Sequence, residues 1–152
     1  MTGSGSAGAS RGARVTAAIS APQFWLRALL GFLTAMPIAI GIAGTLAISL
    51  DGGFPPPAGL ILGVIVQGTP RAYLVFLIPA LLCRLLVEAA GPFSRSSAVG
   101  MGAGTGLLGL GALSMLSGPE GPPFDAVILA LTVFAGAMGG LVWRTVERLL
   151  AQ

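Results

Sequence analysis

Arg84 and Glu88 are the first side chains in this sequence whose types and spacing could do chemistry. They stand four residues apart inside an apolar run, so on a helix they share one face and can touch. As a structural anchor the pair would hold a snorkelling Arg84 near a membrane surface. As chemistry it would be a coupling or substrate-contact pair, or a contact to a partner subunit. Arg71 is the most informative single charge. A charge at bilayer depth is costly and needs a partner, yet Asp51, Glu120 and Asp125 all stand at the ends of apolar runs and not within them. An Arg71 at the outer interface could pair with one of these acids, whereas an Arg71 at mid-membrane would be orphaned. The interfacial position is therefore expected, and Arg71, Arg84 and Glu88 are the candidate functional charges.

Catalysis has little else to use. The chain contains no His, which is the commonest acid and base. Its one cysteine, Cys83, lies within an apolar run, so a disulfide within the chain is excluded and no zinc, haem or copper site is expected. Ser114 and Ser117 have no nearby base and read as helix-packing hydroxyls instead of nucleophiles. Neither catalytic residues nor a cofactor are expected, and the reading is non-enzymatic.

Small residues form the clearest pattern. Ala98, Gly102 and Gly106 recur every four residues, Gly100 and Gly104 form a second series, and Gly136 and Gly140 repeat the spacing later. Lipid gives helices little hydrophobic reason to associate, so close backbone approach at such faces supplies the contact that holds them. The face can serve packing within the chain, or an oligomer or partner interface. Gly104, Gly106 and Gly109 match the spacing of a dinucleotide fingerprint, but that motif needs a preceding strand. An apolar helical run surrounds these glycines, and nucleotide binding is rejected.

The elements that position these residues follow from composition. Only 9% of the 152 residues are charged and 55% are hydrophobic, with a mean hydropathy of +0.92. A soluble domain carries roughly 25% charged residues, so water could not keep this chain folded and dispersed. The expectation is an all-α integral membrane protein, a bundle of about four transmembrane helices embedded in a lipid bilayer. The spans are read at about 24–50, 71–90, 96–117 and 124–143, within a domain of residues 22–152. The apolar stretch 58–90 is too long for one untilted crossing and is interrupted at Gly68-Thr69-Pro70-Arg71. A re-entrant or interfacial segment at 58–70 is the favoured path, and one broken helix the alternative. Residues 1–21 are small and polar without apolar periodicity and are expected to form a disordered cytoplasmic tail.

All eight basic residues are Arg. With the N-terminus inside, every one except Arg71 falls at or near the inner face, which places both termini in the cytoplasm. The Arg, Gly, Ala and Pro bias fits a GC-rich bacterium and its inner membrane, although the acid-poor start also fits an organellar membrane. The pI near 10.5 comes from a net charge of only +3 spread over separate loops, so nucleic acid is not an expected partner. A faint internal repeat pairs Gly53 with Gly121, Pro55 with Pro123 and Ala58 with Ala126. Two functions remain open: a structural or accessory subunit that packs against other membrane subunits or itself, and a small transporter or channel component.

Overall fold

The structure is a computed structural model that describes residues 5–52, 56–117 and 125–152. Five helices follow one another: α1 Gly5–Ser20, α2 Pro22–Leu50, α3 Ala58–Ala90, α4 Arg95–Ser117 and α5 Ala126–Leu149. Strands are absent among the described residues. Helices α2 to α5 are each long and apolar enough to cross a membrane, and the chain is an all-α membrane bundle. Helix α2 packs on α3 and α5, and α4 also packs on α3 and α5, most extensively on α5. The four spans thus form a ring with α2 opposite α4 and α3 opposite α5. The buried core runs through Ala28, Phe32, Ala35 and Met36 of α2, Ala80 and Cys83 of α3, Met101 of α4 and Trp143 of α5.

Two expectations are corrected. The first concerns the N-terminal tail, because residues 5–20 form α1, which lies against α3 and α2. Its Ala-rich sequence has good helix propensity, Ala18 is buried, and the Trp25 indole N–H donates to the Ile19 carbonyl at 2.8 Å. This last bond fixes the corner between α1 and α2 and satisfies a carbonyl at a helix C-terminus.

The second correction concerns 58–70, which is neither re-entrant nor separate. It is the first part of a continuous 33-residue α3 that runs through Pro70 and Pro79. Each proline removes one N–H from the helical ladder, but every other backbone group in lipid is best satisfied by remaining helical. Packing adds to this. Gly44 and Gly41 of α2 leave room for Val64 and Ile65 of α3, and Gly68 of α3 leaves room for Ile40. The segment is therefore held along its length by α2. The turn residues 53–55 and 118–124, including Glu120, lie outside the described residues, as do residues 1–4. The proposed repeat rests partly on Gly53, Pro55, Gly121 and Pro123 and shares that fate.

Pro37 within α2 shows how such a helix is repaired. Pro37 has no N–H to give the Leu33 carbonyl one turn back, and Tyr73 of α3 donates its hydroxyl to that carbonyl instead. Thr34 adds a bond to the Leu30 carbonyl at 2.9 Å. Substituting Tyr73→Phe is expected to cost about 1 kcal/mol, the worth of one such bond. In a Pro37→Ala background the restored N–H takes over the carbonyl, and the cost of Tyr73→Phe should shrink. Thermal unfolding of the four proteins in one detergent measures this coupling.

Candidate functional site

One end of the ring gathers most of the polar chemistry. The turn after α3 is made by Gly91, whose φ of 148° only glycine adopts readily. Ser94 and Ser97 then cap α4 reciprocally: the Ser97 N–H donates to Ser94 Oγ at 3.1 Å and the Ser94 N–H to Ser97 Oγ at 2.8 Å. This arrangement resembles a capping box with serine in place of glutamate. The turn is tied to α5 by Arg144, whose Nε donates to the Phe93 carbonyl at 3.0 Å. Phe93 is thereby set beside the end of α3.

Arg84 sits at the centre of this end, with only 5% of its surface exposed. Its Nε and Nη2 donate to Oε1 and Oε2 of Glu147, both at 2.9 Å, forming a two-pronged bridge from α3 to α5 across the ring. Its Nη1 donates to Glu88 Oε2 at 2.9 Å. The guanidinium carbon lies 4.9 Å from the Phe24 ring centroid and 4.5 Å from that of Phe93, within cation–π range. Glu147 also accepts from the Trp143 indole N–H at 2.7 Å. A charge buried in an apolar bundle is tolerable only when its donors are spent on partners, and here three guanidinium nitrogens are. A groove beside the bridge is lined by Arg14, Gln23 and Arg27 together with Glu88 and Glu147, so basic side chains surround the excess acid.

No family model, curated protein or solved structure matches this chain.

The sequence-predicted residues separate into those brought together and those left apart. Arg84 and Glu88 pair as their spacing predicts. Arg71 is exposed, 13 residues and about 20 Å along α3 from Arg84, and makes no ion pair among the described residues. Ala98, Gly102 and Gly106 of α4 meet Gly140, Gly136 and Thr132 of α5. A Cβ at Gly102 would strike the Gly136 carbonyl and one at Gly140 the Ala98 carbonyl, closer than any real contact, while one at Gly106 would stand 2.8 Å from the Thr132 oxygen. The backbones themselves touch along this seam. Gly104 instead faces Cys83, whose Sγ would lie 3.6 Å from an added Cβ, and Gly100 faces open space.

Sequence reasoning missed Glu147 as the second partner of Arg84. A usable signal was present. An even number of spans brings the end of α3 and the end of α5 to the same side, and Trp143 stands four residues before Glu147.

Proposed function

We propose that this protein is a non-enzymatic structural or accessory subunit of a bacterial inner membrane, with both termini in the cytoplasm. The observation that carries this reading is the outward face of α3. Leu62, Val66, Leu74, Ile78, Leu82 and Leu86 are exposed along it at multiples of four residues, and Gln67 and Arg71 are exposed on the same helix. Bulky apolar side chains alone need only lipid. A guanidinium without an ion pair among the described residues, set in such a helix, is better served by an acid on a partner span. The small-residue seam supports the reading indirectly, since its spent faces leave α3 as the broadest surface for another subunit.

Co-purification from gently solubilised membranes tests this. The intact chain is expected to travel with a second membrane protein, and Arg71→Gln to release that protein while the bundle remains folded by circular dichroism. A strictly monomeric particle, or an unchanged complex with Arg71→Gln, would overturn the proposal.

A second reading, a small transporter or channel component, is favoured by a buried ion bridge that joins opposite helices at one end of the ring. Flux and assembly measured separately on Arg71→Gln distinguish the two readings. Lost flux with normal assembly supports transport, and lost assembly supports the subunit role.

A further inference from the structure

A cavity of about 170 Å³ lies between the four spans, walled on α2 from Phe32 to Ala43 and on α5 from Thr132 to Trp143. Each wall covers eleven residue steps, roughly 16 Å by helical rise, so the space is a narrow slot parallel to the spans and not a rounded chamber. For comparison, a cavity of about 150 Å³ accommodates benzene when compact. The same volume drawn out over this length suits a single extended chain. Its lining is almost wholly apolar, and several wall residues, Ala43 and Ala72 among them, are only half-buried, so the slot reaches toward the surrounding bilayer. One wall residue stands out. Thr105 is 8% exposed and its hydroxyl, buried, makes no hydrogen bond, although helical Thr34, Thr45 and Thr132 each donate to a carbonyl four residues back.

A packed core seldom leaves both a void of this size and an unpaired hydroxyl in its wall. We propose that the slot binds one hydrocarbon chain of a bilayer lipid. Phe32 and Trp143 close the slot near the Arg84 bridge, and the bilayer supplies the guest. The site does not depend on the partner proposed for α3.

Tryptophan quenching tests the proposal on the full chain. Trp25→Phe leaves Trp143 as the sole tryptophan, since the chain has two. Trp143 lines the slot and is only 3% exposed, so bromine on a lipid chain reaches contact distance only from inside. In phosphatidylcholine vesicles with dibrominated chains, Trp143 emission is expected to fall well below its value in unbrominated vesicles. Ala43→Phe, which fills the slot from α2, should abolish most of that loss, and Ala72→Leu does the same from α3 if the first variant does not fold. Unquenched Trp143 in a folded bundle, or quenching that survives either folded filling variant, would overturn the proposal.

Discussion

Adding one methyl group at Gly140 is expected to unfold or severely loosen the bundle. The new Cβ would enter the Ala98 carbonyl, and the obstacle is backbone, so no rotamer change can clear it. Helices α4 and α5 would have to separate along the whole seam of Ala98, Gly102, Gly106, Thr132, Gly136 and Gly140, losing the contact that replaces hydrophobic drive in lipid. Overpacking a core costs up to about 3 kcal/mol even where side chains can adjust, and Gly140→Ala should reach that value or exceed it. Gly100→Ala is the matched control, because its added Cβ meets nothing within 4 Å; a change within about 0.5 kcal/mol is expected there. Thermal and denaturant unfolding of both variants in one detergent provides the comparison. Equal effects would mean that helix propensity governs both sites and the seam does not.

The contrast between these two glycines shows where sequence reading stops. Spacing alone divides the glycines of α4 into two series, but which series meets α5 depends on how the helix is rotated, and rotation is set by all of its neighbours at once. The four apolar runs were legible because hydropathy over 20 residues is a strong signal against a 30 Å hydrocarbon core. The continuity of α3 was not, since Gly-Thr-Pro reads as a break under rules calibrated in water. In lipid the helix persists and α2 supports it through Ile40 and its glycines. Helix α1 was equally hidden, since Val15 and Ile19 are its only large apolar side chains; tertiary contacts such as Trp25 to Ile19 hold it in place. The Arg84–Glu88 pair was legible because it is local. Glu147, 63 residues from Arg84, becomes its partner only through topology.

That long-range partner sets the other large expected effect. Removing the carboxylate with Glu147→Leu takes away both prongs of the bridge and leaves Arg84 in a buried site with Glu88 as its one remaining acid. Breaking a buried pair on one side costs about 3–5 kcal/mol, because the surviving charge stays desolvated. Arg84→Leu should be comparably harmful: it strands Glu147, although the Trp143 indole N–H still offers it one bond. The double variant Arg84→Leu with Glu147→Leu buries neither charge and places apolar volume where the bridge stood, so it should recover much of the lost stability. Unfolding free energies of the four proteins form a cycle whose coupling term isolates the bridge from the packing of either side chain. A double variant as unstable as the sum of the singles would show that Arg84 acts through its packing between Phe24 and Phe93 and not through Glu147. Recovery would identify the bridge as a device for specificity, one that selects which ends of α3 and α5 meet at a cost that an apolar contact would not incur.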